Sequence, residues 1–174
     1  NACYTLFPEG KNSSVARKSR GQSQFYKGIV FLYFMKDFSI LIIKPEVIER
    51  REEIIDSIEK RGYEILLKIE KDNWRDTAKI IYNEFLPKQI ETYIKGYDKH
   101  KFGDKFLILV LKYKKGNTLE KLKKDKGNFI QYQTEEEKTL RAEFGLPKKY
   151  NIKHKKITFV YCGIHCPESK EELR

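Results

Sequence analysis

His165 follows the apolar run 157–164 and opens the segment Cys166-Pro167-Glu168-Ser169. Upstream, Arg141 sits within Thr139-Leu140-Arg141-Ala142-Glu143-Phe144-Gly145, and Lys44 stands where the apolar run 38–43 meets Pro45-Glu46. One imidazole and one guanidinium are the minimum set for passing a phosphoryl group through a covalent phosphohistidine, and Lys44 adds a second cation. The neutral ring is nucleophilic near pH 7, and its phosphorus–nitrogen bond is labile enough to release the group again. Fixed cations answer the charge on the phosphoryl oxygens. A strand end is also a rigid mount from which a nucleophile can be aimed. Alone, a strand-terminal histidine reads more simply as a satisfied structural side chain; in this company it reads as chemistry.

Those residues need elements to hold them. Residues 38–43 are apolar and rich in β-formers, the pattern of a central strand. Pro45 suits the first turn of a helix, and Val47, Ile48, Ile54, Ile55 and Ile58 form an apolar stripe running to about Arg61, with Gly62 ending it. Tyr63, Ile65, Leu67 and Ile69 alternate with Glu64, Lys68 and Glu70, the period of a half-exposed strand. Residues 74–95 are expected as two helical pieces broken at Leu86-Pro87, followed by a loop over 96–105 and a buried strand over 106–111. A basic helix over 118–126, an irregular stretch over 127–134, a helix over 135–144 and a last strand over 157–164 complete the chain. The order β-α-β-α-α-β-α-α-β predicts an α/β fold, a ferredoxin-like αβ sandwich with an antiparallel four-stranded sheet and a helical insertion.

At 174 residues and 40% hydrophobic content, the chain has material for one core and too little for two ordinary ones. Residues 35–174 are read as that domain, and residues 1–34 as a basic, poorly ordered extension, not necessarily native to it. Lys and Arg number 36 against 25 Asp and Glu, a net +11. This excess suits phosphate-bearing partners: nucleotides, nucleic acid, or an acidic protein, filament or membrane surface. The bland alternative is a solvated face. The basic stretch 112–126 has aromatics only thinly interleaved, at Tyr113 and Phe129, so a stacking platform for single strands is poorly supported. Three cysteines without a CxxC pair do not form a disulfide framework, which favours a reducing, intracellular compartment. Cys162 and Cys166 flank His165, but a metal would need a further ligand from His154 or His100, and no metal site is read. Cys166 reads as a small buried residue, with redox sensitivity as its alternative. No apolar run reaches the ~18–20 residues that cross a bilayer.

In this order the motifs resemble the nucleoside diphosphate kinase family over roughly residues 37–172. Lys44-Pro45-Glu46 resembles its strand-Lys-Pro-Asp, Thr139–Phe144 its Thr-Ile-Arg-Gly-Asp-Phe, and Gly163–Ser169 its Asn-Ala-Ile-His-Gly-Ser-Asp-Ser. The resemblance implies that His165 is phosphorylated and that Lys44 and Arg141 bind phosphate. It implies Lys123 at a second phosphate-binding position, Phe85 as the ring stacking on the base, and Cys162 at the position of a sugar-binding asparagine. Glu168, Glu171 or Glu172 would stand in for a glutamate that orients the histidine. It further implies nucleoside di- and triphosphates as ligands, Mg²⁺ bound through their phosphates, and a dimer-based homo-oligomer.

Several positions depart from the pattern. Besides Cys162, Phe129 stands for a phosphate-contacting threonine, Pro167 for a serine, and Lys123 exchanges a bidentate fork for a point charge. Extra residues between Phe144 and His165 include the basic run 153–156. Two readings follow. One is transfer of the γ-phosphate of a nucleoside triphosphate to a nucleoside diphosphate through phospho-His165, with reduced activity. The other is a degenerate kinase-like binding or scaffold module, such as those of ciliary, flagellar or other cytoskeletal assemblies, set in the cytoplasm or a cilium. A basic nucleic-acid-binding domain of unrelated chemistry is a third.

Overall fold

The computed structural model describes residues 37–129 and 138–173. The expectations placed on 1–34, on the boundary at Met35, and on most of 127–134 and the start of the 135–144 helix lie wholly or partly outside them.

Strands β1 (Ser39–Ile43), β2 (Tyr63–Lys71), β3 (Phe106–Tyr113) and β6 (Ile164–His165) form one antiparallel sheet in the order β2-β3-β1-β6. A separate hairpin is made by β4 (Ile152–His154) and β5 (Ile157–Phe159). Helices α1 (Arg51–Lys60), α2 (Trp74–Ile81), α3 (Pro87–His100), α4 (Thr118–Lys126) and α5 (Leu140–Phe144) complete a ferredoxin-type αβ sandwich.

The two central strands are apolar on both sides because both faces of the sheet are covered. Leu41 and Ile43 of β1, with Leu107, Leu109 and Leu111 of β3, pack against Ile54 and Ile58 of α1, Leu122 of α4 and Phe144 of α5. Ile42 and Phe106 point the other way, into a cluster of Trp74 from α2, Tyr93 and Tyr97 from α3, and Phe159 and Tyr161. Fully burying each of these large side chains contributes roughly 1.5–3 kcal/mol.

Four elements differ from the sequence expectation. The first turn after β1 is a 3-10 helix, Pro45–Arg50, opened by the Val47 amide on the Lys44 carbonyl (3.1 Å); α1 starts only at Arg51. α3 runs through Gly96 to His100, where a composition rich in Lys, Asp and Gly pointed to a loop. The glycine is there for space: a Cβ at 96 would lie 1.6 Å from the Tyr161 hydroxyl. The described part of the arginine-bearing helix is short, with the Thr139 hydroxyl accepting from the Ala142 amide (3.3 Å) at its start. The single last strand over 157–164 is divided. β5 pairs with β4 through a turn at Lys155-Lys156, Gly163 adopts a φ of +72°, and only Ile164 and His165 join the main sheet.

Candidate active site

The pleat decides where His165 faces. Ile164 is buried with the α1 side of the sheet, so its neighbour projects to the other side, against α2 and the hairpin. Pairing with Ile42 of β1 holds the residue, and its ring lies edge-on to Tyr82, with centroids 5.7 Å apart. Lys44 follows β1 directly. Its backbone N–H donates to the Gly163 carbonyl (2.8 Å), which fastens the lysine beside the chain entering β6. Arg141 comes from the first turn of α5. Its Nε donates to the Ile164 carbonyl (3.2 Å) and its Nη1 to the Gly127 carbonyl (3.0 Å). Guanidinium carries five N–H groups, so donors remain for an anion. All three side chains line one cavity of about 580 Å³.

Lys44 is 1% exposed, and its Nζ lies 2.8 Å from Glu46 Oε1. It also donates to the Tyr93 hydroxyl (3.4 Å) and the Cys162 sulfur (3.6 Å). Burial opposes its charge, but the neighbouring Cys162 and Glu46 outweigh that and hold it well above the usual lysine range. Glu46 is fully partnered: Oε1 also accepts from the Gly163 amide (3.1 Å), and Oε2 from the Tyr97 hydroxyl (2.8 Å). Tyr97 and Tyr93 share a hydrogen bond of 2.8 Å, and burial keeps both phenols neutral. Lys-Pro-Glu is thus a buried polar network as well as a rim of the cavity. Around His165, burial and then the cations Lys44, Lys126 and Arg141 push the imidazole down to about 3. The ring therefore carries a free lone pair at any physiological pH.

The remaining expected residues divide. Phe85 lines the cavity, stacked on Tyr82 at 5.8 Å and 25° and edge-on to Phe159. Cys162 lines it too, and its thiol donates to the Ile164 carbonyl (3.6 Å). Glu168 and Glu172 reach its rim, but the Glu168 carboxylate pairs with Lys126, and Glu172 Oε2 accepts from the Glu168 amide (2.9 Å). Neither carboxylate is spent on the imidazole. Glu171 opens the 3-10 turn Glu171–Leu173 and does not line the cavity. Phe129 stands at the rim, 50% exposed. Lys123 does not line the cavity; its ammonium lies 3.5 Å from Glu120, one turn back on α4.

Sequence reasoning missed three contributors. Lys126, on the same helix, bears on His165 where Lys123 does not. Tyr82 is the ring against the imidazole, and the hairpin residues Ile157 and Phe159 form an apolar wall. A one-turn shift along α4 was the available signal for the first; the other two had none. The cysteine reading also sharpens. Burial pushes the Cys166 thiol up to about 11, as expected of a small buried residue rather than a reactive one. Among the described residues no group of three His, Cys, Asp or Glu could hold a metal ion. His154 hydrogen-bonds Thr92 (3.2 Å), and His100 packs among Phe102, Tyr150 and Tyr161.

No protein-family model matches the chain, and no curated protein does. Solved structures do. The nucleoside diphosphate kinase of Aquifex aeolicus superposes with a TM-score of 0.56 at 17% identity, covering 78% of this chain and 87% of that one. The Borrelia burgdorferi enzyme, in a transition-state mimic with bound vanadate and ADP, gives 0.57 at 18% identity, covering 78% and 81%. At this identity the likeness speaks for the backbone architecture: the chain has a nucleoside diphosphate kinase-like fold.

Proposed function

We propose that the chain is a nucleoside diphosphate kinase-like phosphotransferase in which His165 carries the phosphoryl group. A neutral imidazole nitrogen attacks the γ-phosphorus of a nucleoside triphosphate. The phosphorus–nitrogen bond forms as the bond to the β,γ-bridging oxygen breaks, and the nucleoside diphosphate leaves with that electron pair. A β-phosphate oxygen of a second nucleoside diphosphate then attacks phosphorus and restores the free ring. Lys44 and Arg141 neutralise the phosphoryl oxygens, and Phe85 stacks on the base. Mg²⁺ arriving on the nucleotide would neutralise part of the charge on its phosphates, which Lys44 and Arg141 would hold from the protein side.

One observation carries this reading: the same cavity is lined by an uncharged His165, the ammonium of Lys44, the guanidinium of Arg141 and the ring of Phe85. The scaffold reading draws on a different one. The Lys44 ammonium and part of the Arg141 guanidinium are already satisfied internally, as in a domain that has kept its fold and lost its substrate. Incubation with γ-labelled nucleoside triphosphate and Mg²⁺ separates the two. Phosphotransfer requires acid-labile, base-stable label on the chain, absent from His165→Ala and chased onto added nucleoside diphosphate. Nucleotide binding without label would leave the scaffold reading.

A further inference from the structure

Lys126 ends α4 in an unusual state for a lysine: it is 3% exposed, and its ion-pair partner Glu168 has a side chain 61% exposed. The turn that follows it is tightly packed. The next residue, Gly127, has a φ of +80°, and a Cβ there would meet the Thr139 hydroxyl oxygen at 2.4 Å, so the end of α4 is pressed against the start of α5. The Gly127 carbonyl receives Arg141 Nη1 (3.0 Å), which makes Lys126 the chain neighbour of the arginine's own anchor. The ammonium also faces the Cys166 thiol, one residue from the nucleophile. Glu168 lines the cavity and Lys126 does not. The cavity is thus lined by the very carboxylate that pairs with this buried cation.

Resting on the phosphotransfer reading, we propose that Lys126 is the third phosphate-binding cation of this site and that Glu168 is an internal surrogate that an incoming phosphate chain displaces. Lys123, the lysine expected there, points to Glu120 instead. A phosphate oxygen can replace the carboxylate at Nζ with no loss of charge pairing, and Glu168, already mostly in water, moves out at little desolvation cost. Glu168 then acts as a competitor built into the site. It keeps the buried ammonium paired when the cavity holds no anion, and it lowers apparent affinity for every polyphosphate by the same factor.

Calorimetric binding of inorganic tripolyphosphate and of ADP to the full chain, its Lys126→Met and Glu168→Gln variants and their double mutant tests this, alongside His165 labelling. E168Q is expected to tighten tripolyphosphate severalfold. K126M should weaken it roughly tenfold or more, and E168Q added to K126M should change nothing further. Since Glu168 is exposed, E168Q reports even if K126M proves misfolded by circular dichroism. Unchanged tripolyphosphate affinity in E168Q, or in a folded K126M, overturns the inference. If His165 is labelled all the same, phosphotransfer survives without it. The expected binding pattern without label would sustain the Lys126 site and reject phosphotransfer. Absence of tripolyphosphate binding by every variant overturns the Lys126 site.

Discussion

Replacing Lys44 by methionine isolates the central pair of the site. The change removes the cation 2.8 Å from a Glu46 carboxylate whose side chain has no exposure. Breaking a buried pair by deleting one partner costs roughly 3–5 kcal/mol, because the survivor's charge is left uncompensated. Glu46 keeps two donors, the Gly163 amide at 3.1 Å and the Tyr97 hydroxyl at 2.8 Å, so the low end applies, about 3 kcal/mol. For a domain of this size that is a fall in Tm of about 10 °C. Glu46→Gln should cost less, about 2 kcal/mol, because Lys44 lines the cavity and its ammonium can turn toward water there. In the double variant, the amide oxygen introduced by E46Q can still accept a hydrogen bond and no lone charge remains, so the two losses should not add. The expected coupling is about 3 kcal/mol, read from urea midpoints of the wild type, both single variants and the double. A K44M protein melting within about 2 °C of wild type, or strictly additive losses, would refute the argument that this network is a charged, desolvated unit.

Three further outcomes follow from other contacts. His165 is held down to about 3 against an ordinary value near 6.5, so between those values the unfolded chain binds more protons. Its contribution to stability is complete above pH 6.5 and is lost as pH falls toward 3, about 2 kcal/mol of it by pH 5; His165→Gln should lose less stability than wild type between pH 8 and pH 5, and equal losses would contradict the shift. Gly96→Ala should destabilise by about 1–3 kcal/mol despite alanine's better helix propensity, since the new Cβ falls 1.6 Å from the Tyr161 hydroxyl and disrupts its bond to the Tyr93 carbonyl; a stabilised variant in thermal melts would show that Tyr161 moves freely. Phe85→Ala should weaken ADP roughly tenfold and leave tripolyphosphate unchanged, as stacking on a base is worth about 1–3 kcal/mol; equal effects on both ligands would remove Phe85 from the base site.

Much of this arrangement is legible in the chain because local patterns carry it. Local pattern gives β1 and β3 as continuous apolar runs and β2 as the alternation of Tyr63, Ile65, Leu67 and Ile69 with charged residues, while the face that His165 takes follows only from its pairing beside Ile42. The break at Leu86-Pro87 works for the same local reason, since proline opens α3 at its first turn. The misses have physical causes of their own. Lys155 takes a left-handed φ of +54° in the hairpin turn, a place where glycine or asparagine would have given a signal and lysine gives none. Gly96 reads as a loop residue because its purpose, room for Tyr161, comes from a segment far along the chain. Lys126 is one basic residue among many in α4, and only its burial distinguishes it.

The hairpin β4–β5 has a consequence for the timing of backbone opening. It is bonded to no strand of the four-stranded sheet, yet Ile157, Thr158 and Phe159 of β5 wall the cavity. Its amides should therefore exchange with solvent deuterium through a local opening of lower free energy than the one that exposes β1 and β3. A ligand leaning on that wall must raise the lower opening energy, while the amides of β1 and β3 change less. Occupancy of the site should thus be readable as selective slowing of exchange over 152–159, with no substrate turnover required.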